Sequence, residues 1–192
     1  WFHDLTINLS DYSVLGVVVG TVFTLLVQSS SATIGILQGL FGEGLIDLQG
    51  ALPVLFGDNI GTTITAMLAA IGASVAAKRA ACVHVLFNVF GTIIFMILLV
   101  PFTALISWFQ QTLGLNPEMT IAFAHGTFNI SNTLIMIPFI GVYAWVVTKI
   151  IPGKDTVIEY KPEHLDERII DQSPSIALGQ AKKETLRMGE FA

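Results

Sequence analysis

Lysine and arginine are absent from the first 77 positions of this 192-residue chain, and charge of either sign is scarce. Asp, Glu, Lys and Arg make up 12% of it, about half the share of an ordinary soluble domain. With so few cations and a net charge of −5, the chain lacks the basic surface that nucleic-acid binding requires. There is one cysteine, Cys82, so no internal disulfide forms and a small disulfide scaffold is excluded. No close His pair or His/Glu cluster accompanies it, which argues against a zinc site. What the sequence has in excess is apolar: 53% hydrophobic residues, 13 Phe among them, and a mean hydropathy of +0.73. That composition excludes a disordered chain or a collagen-like fibre.

The few charges are unevenly placed. Residues 1–151 hold nine of the 23 and residues 152–192 hold the other 14, so an apolar body precedes a polar tail. The helix-stopping triplet Ile151-Pro152-Gly153 marks the change. It predicts a membrane domain over 1–150 and a soluble segment over 151–192. Within the body, Tyr12–Gly42, Ala80–Pro117 and Met119–Thr148 run for 31, 38 and 30 residues without a charge. A bilayer core needs about 20 apolar helical residues per crossing, so the body reads as an all-α, multi-pass membrane protein. Lys78-Arg79, then Lys149 and Lys154, mark the cytoplasmic ends. Two full spans, roughly 80–101 and 119–148, run out and back between them. The connector 102–118 is then external, with Trp108 in the interface, and the tail is cytoplasmic. The chain starts at Trp1 and shows no signal peptide, as expected of a fragment of a longer protein.

Two apolar stretches are interrupted. In the first, Tyr12–Val27 is followed by Gln28-Ser29-Ser30-Ser31 and then by the apolar run Ala32–Phe41. Two short helices joined at a polar tip predict a re-entrant hairpin, tolerated at membrane depth where the tip faces protein or a water-filled cavity. In the second, Leu48–Ala77, the segment Gly57-Asp58-Asn59-Ile60-Gly61-Thr62-Thr63 predicts a broken transmembrane helix. Asp58 is the one acid far from the edge of an apolar run, and an ionisable residue there marks a functional site. The alternative is an Asp that caps a half-helix beginning near Ile60. The serines likewise either bind a ligand or join helices by hydrogen bonds. Hydroxyls and free N–H groups at a half-helix N-terminus suit an oxyanion, and unwound carbonyls suit Na+. The body has no Lys or Arg at mid-depth, so an anion bound there needs helix N-termini, hydroxyls and a co-bound cation.

These two segments, at this spacing, resemble the sodium/phosphate cotransporter family over about residues 14–148. The resemblance implies two inverted repeats, each with a Gln-Ser-Ser hairpin tip and a broken helix, with substrate and Na+ meeting between the tips. Bacterial members add a PhoU-like cytoplasmic helical domain. One copy of each motif is present here, which corresponds to the second membrane repeat. The missing first repeat, or a second copy, would complete the site. On this resemblance Ser29, Ser30, Ser31, Thr62 and Thr63 bind phosphate. Gln28, Ser29, Asp58, Asn59 and Thr62 bind Na+, which serves as the coupling ion with no further cofactor. Asp58 departs from the family, which often has a small residue before the Asn, and it adds a cation ligand or a proton-linked step. The tail from about Ser175 to Ala192 has Ala177, Ala181 and Met188 at helical spacing and resembles the start of the PhoU-like domain.

The implied function is Na+-coupled transport of inorganic phosphate across the cytoplasmic membrane. The alternative is a channel or a phosphate-signalling scaffold acting through the tail. An intramembrane hydrolase is disfavoured, because a serine nucleophile needs a base within hydrogen-bond reach and His84 and His125 lie near span ends. A further internal similarity aligns His84, Phe87, Asn88 and Thr92 with His125, Phe128, Asn129 and Thr133 at an offset of 41. In each copy His, Asn and Thr share a helix face. They form either a polar lining or interhelical hydrogen bonds, and the latter reading is preferred.

Overall fold

The computed structural model describes residues 13–154, 165 and 173–190. The chain divides into two compact units, Trp1–Asp155 and Thr156–Ala192. Every regular element among the described residues is helical. The first unit contains α1 (Ser13–Val27), α2 (Ser30–Gly42), α3 (Leu48–Ala69), α4 (Val75–Ile97), α5 (Leu99–Leu113), α6 (Pro117–Met136), a 3₁₀ turn (Ile137–Phe139) and α7 (Ile140–Ile150). The second contains α8 (Pro174–Glu190), on which Glu184 and Arg187 pair one turn apart. Tyr12, Ala192 and the tail positions 155–164 and 166–172 lie outside the described residues.

The run through residue 42 is a helical hairpin, with α1 and α2 joined by Gln28 and Ser29 alone. Glycine sets how α1 meets α3. A Cβ on Gly20 would lie 2.1 Å from the Val54 carbonyl oxygen, and one on Gly57 would lie 2.1 Å from that of Val17. Gly16 abuts Pro53, and Gly61 abuts Thr21 and Thr24. The contacts rise together along both chains, so α1 and α3 run parallel with backbones touching, through glycines four residues apart on each helix. Small residues at that spacing let helices approach closely where lipid supplies no hydrophobic drive.

The same glycines correct one expectation. The sequence predicts a break at Gly57–Thr63, yet α3 is continuous from Leu48 to Ala69. Three polar side chains of that segment find partners on the intact helix. Asn59 Nδ2 donates to the Leu55 carbonyl (2.9 Å), Thr62 Oγ1 to that of Asp58 (2.9 Å) and Thr63 Oγ1 to that of Ile60 (2.7 Å). Gly57 and Gly61 serve helix contact rather than a kink. The chain instead turns after Ala69, through Gly72 at φ +75°, and Ser74 caps α4.

Beyond α3 the expected spans shift. The first is α4, Val75–Ile97, so Lys78 and Arg79 lie in its first turn. The connector 102–118 is largely the helix α5, which folds onto the core through Leu99, Phe102 and Ile106 and ends at Gly114 in the left-handed region. The second span is α6 plus α7, joined through the 3₁₀ turn at which Pro138 supplies no N–H. Val75–Ile97 and Pro117–Ile150 are the two helices among the described residues long and apolar enough to cross a membrane. Their large side chains face outward, with Ile97, Ile130, Leu134 and Ile140 exposed, the reverse of a soluble core helix. Beneath them Phe56, Phe95, Phe102 and Phe128 form the centre of the unit, with the Phe56–Phe128 and Phe95–Phe128 ring centroids 4.9 and 4.8 Å apart. At the chain's exit, Arg79 Nε and Nη2 donate to the Ile151 carbonyl (3.1 and 2.9 Å), and Nη2 also donates to that of Gly153 (2.9 Å).

Candidate functional site

The hairpin tip is strained and under-bonded. Gln28 is exposed and takes φ +54°, the one non-glycine residue in the left-handed region among those described. Such a conformation persists only where its surroundings impose it. The Gln28 N–H donates to the Thr24 carbonyl (2.7 Å) and closes α1. Ser29 is the N-cap of α2: its backbone is extended and its Oγ accepts from the Ala32 N–H at 3.4 Å, a long bond. Ser29 Oγ and Ser31 Oγ lie 3.2 Å apart. As the first residues of α2, Ser30 and Ser31 have N–H groups with no intrahelical acceptor, and they carry the positive end of the helix dipole. That is the equipment of an oxyanion site.

Asp58 lies fully buried on α3. Its Oδ1 accepts from Thr24 Oγ1 at 2.8 Å, and Thr24 Oγ1 lies 2.9 Å from Thr33 Oγ1. The single Thr33 hydroxyl proton goes either to Thr24 Oγ1 or to the Ser29 carbonyl, 3.2 Å away and one turn back on its own helix. A row of close polar contacts therefore runs from the carboxylate on α3, past Thr24 on α1 and Thr33 on α2, to the tip. Asp58 Oδ2 is buried with no hydrogen-bond partner. A buried carboxylate oxygen without a donor is costly, and no basic side chain is bonded to it. Carboxylate, hydroxyl and carbonyl oxygens at such a point suit a hard cation.

The predicted residues are thus treated unequally. Ser29 and Asp58 are joined through two threonines. Asn59, Thr62 and Thr63 direct their polar groups onto the backbone of α3, and none of them is hydrogen-bonded to the tip. Thr24 and Thr33, which do the joining, lie in stretches that the sequence reading counted as plain apolar helix. The available signal was their position, each four residues from the Gln28-Ser29 turn. The second polar set behaves differently. Asn88 and Asn129 donate to the carbonyls of His84 and His125 on their own helices, each at 2.9 Å, and Thr133 donates to that of Asn129. Thr92 alone crosses between helices, to the Phe56 carbonyl (3.2 Å). No serine hydroxyl bonds a histidine among the described residues.

The family model described as Na+/Pi-cotransporter matches residues 2–154. The chain belongs to the Na+/Pi-cotransporter family. Members are transporters, so this family membership accords with a non-enzymatic, membrane-embedded protein. Among its relatives, the Bacillus subtilis (strain 168) protein YqeW, itself of unassigned function, is 35% identical over 151 residues, which is 79% of this chain and 48% of YqeW. The Escherichia coli (strain K12) "putative inorganic phosphate export protein YjbB" is 32% identical over 179 residues, 92% of this chain and 32% of that protein. The mouse "sodium-dependent phosphate transport protein 2C" is 40% identical over 84 residues, 42% of this chain and 14% of that one. The chain thus spans less than half the length of these relatives. No solved structure matches it.

Proposed function

We propose that the chain forms part of a secondary carrier moving inorganic phosphate across the cytoplasmic membrane, coupled to Na+. One observation carries the reading: the unpartnered buried Asp58 oxygen, linked through Thr24 and Thr33 to the under-bonded tip at Ser29. Na+ is held by Asp58, with Gln28, Ser29, Asn59 and Thr62 as the further oxygen ligands. Phosphate is held by Ser29, Ser30 and Ser31 at the N-terminus of α2; for Thr62 and Thr63 to join it from α3, their hydroxyls exchange the Asp58 and Ile60 carbonyls for phosphate oxygens. Parallel packing of α1 on α3 supports a re-entrant hairpin, because α1 is 15 residues, about 22 Å, and turns back before α3 ends. The basic end of the unit faces the cytoplasm, and residues 151–192 lead into a PhoU-like domain there. A second, inverted repeat completes the carrier.

The test measures labelled-phosphate transport against Na+ at two pH values, in the gene product carrying this chain and in its Asp58→Asn variant. The expected outcome is a roughly tenfold higher Na+ requirement, since ligand charge sets cation affinity, and a flatter pH dependence, since the titrating ligand is gone. Identical curves would retire the cation role of Asp58. A second reading, phosphate export, is favoured by the name of the YjbB relative. Counterflow in proteoliposomes, with the Na+ gradient imposed in each direction, decides between import and export and separates carrier from channel.

A further inference from the structure

The eight charged side chains between residues 13 and 154 sort by position in the bundle. Glu43 follows α2, Asp47 caps α3 and Glu118 opens α6. These share one end: Gln38 Nε2 donates to the Glu118 carbonyl (3.0 Å), and a Cβ on Gly42 would lie 3.0 Å from Glu118 Oε1. Asp58 sits within α3. All four cations lie beyond the opposite end of α3. Lys78 and Arg79 are in the first turn of α4, and Lys149 and Lys154 flank the end of α7, which Arg79 holds to α4. The 22 residues of α3 span about 33 Å, close to the roughly 30 Å of a bilayer core.

At the basic end a groove of about 430 Å³ opens between the end of α3, α4 and the end of α7. Met67, Ile71, Cys82, Leu86 and Ile150 form much of its wall, and Lys78 is the one charged side chain that lines it. Arg79 is committed to the carbonyls of Ile151 and Gly153. Lys78 has no ion-pair partner among the described residues.

The geometry points to a binding site for one anionic phospholipid, its acyl chain along this groove and its phosphodiester on the Lys78 ammonium. Charge complementarity selects this occupant. A zwitterionic lipid fills the groove but brings no net counter-charge to Lys78. Free phosphate answers Lys78 but leaves the apolar wall uncovered. The basic end is the one that faces the cytoplasmic leaflet, where anionic lipids attract such cations. The proposal stands apart from the transport reading and survives if that reading fails.

Cys82 is the only cysteine in the chain and lines the groove, so it reports occupancy. The experiment follows alkylation of Cys82 by N-ethylmaleimide in the purified full chain in neutral detergent, with added phosphatidylglycerol, phosphatidylcholine or inorganic phosphate. Phosphatidylglycerol is expected to slow labelling about fivefold more than phosphatidylcholine, the factor one cation contributes near an anionic surface. Inorganic phosphate alone should not slow it. Lys78→Gln should erase the difference between the lipids, whereas Lys149→Gln, at the same end but outside the groove, should keep it. Both positions are exposed, and thermal melting checks that the variants fold. Equal protection by the two lipids, protection by phosphate alone, no protection by any of them, or equal losses in both variants would each overturn the proposal. The last would reassign the effect to diffuse surface charge, and the absence of protection would indicate a protein segment covering the groove.

Discussion

Helices α1–α3 and helices α4–α6 both carry Thr or Asn among apolar neighbours, and they differ in what those side chains surround. On α4 and α6, Asn88, Asn129 and Thr133 donate one turn back along their own helix, while Thr92 and Asn132 donate across to the Phe56 and Phe87 carbonyls. On α1–α3, Thr24 on α1 donates to Asp58 Oδ1 on α3 and touches Thr33 on α2, while the other carboxylate oxygen, Oδ2, is answered by nothing. Self-bonded side chains suit a helix whose surroundings are lipid; the exception on α6 is Asn132 Oδ1, a neutral oxygen that is buried without a partner. The arrangement around Asp58 is unfinished without a ligand. Polar content alone does not mark a site in such a protein; a buried carboxylate oxygen left unanswered does.

The contrast can be broken most severely at the α1–α3 contact. Gly57→Leu drives a side chain into the α1 backbone and should abolish folded protein, measured as monodisperse yield after detergent extraction. Next in size is the tip. Ser31→Leu should remove nearly all phosphate transport while membrane insertion, judged by surface or fractionation assays, stays normal. Ser31→Ala should be milder, because the backbone N–H groups survive. Normal transport by Ser31→Leu would mean the serines only pack.

A subtler pair sharpens the comparison. Thr24→Val keeps shape but leaves buried Asp58 without its donor, and should lower stability by about 1–3 kcal/mol. Thr133→Val removes a bond internal to one helix at an exposed position and should stay within about 0.5 kcal/mol. Thermal unfolding in one detergent ranks them, and equal shifts would show that the cross-helix chain has no special weight. The smallest effect is expected at Gly126. Nothing lies within 4 Å of a Cβ there, so Gly126→Ala should stabilise by at most about 1 kcal/mol through helix propensity alone.

The hairpin was legible in the sequence because four polar residues interrupt a run of apolar ones, and no continuous membrane helix hides that interruption. The uninterrupted course of α3 was not. Glycines four apart beside Asp and Asn read equally as an unwound segment and as a contact surface. The deciding information, Gly16 and Gly20 at the same spacing on α1, bears on α3 only once the two helices are known to be parallel. Thr24 and Thr33 escaped because a single threonine in an apolar helix usually faces its own backbone, as Thr103 and Thr133 do and as Thr33 also does toward the Ser29 carbonyl. The helix α5 escaped for a different reason: an amphipathic segment with Trp108 and two glutamines looks like an interfacial connector until Phe102 and Ile106 are seen to be buried.

The Arg79 clamp has a mechanical consequence. Chain leaving the bundle after α7 is anchored twice, covalently through Ile150 and laterally by three hydrogen bonds to the first turn of α4. A pull applied at residue 154 is therefore divided between two helices rather than peeling α7 from its end. Because α4 follows α3 after a five-residue turn, part of that load reaches the base of the helix carrying Asp58. In engineering terms the guanidinium is a cleat: it fixes the rope where it crosses the rail, so that tension in the tail becomes torque on the bundle.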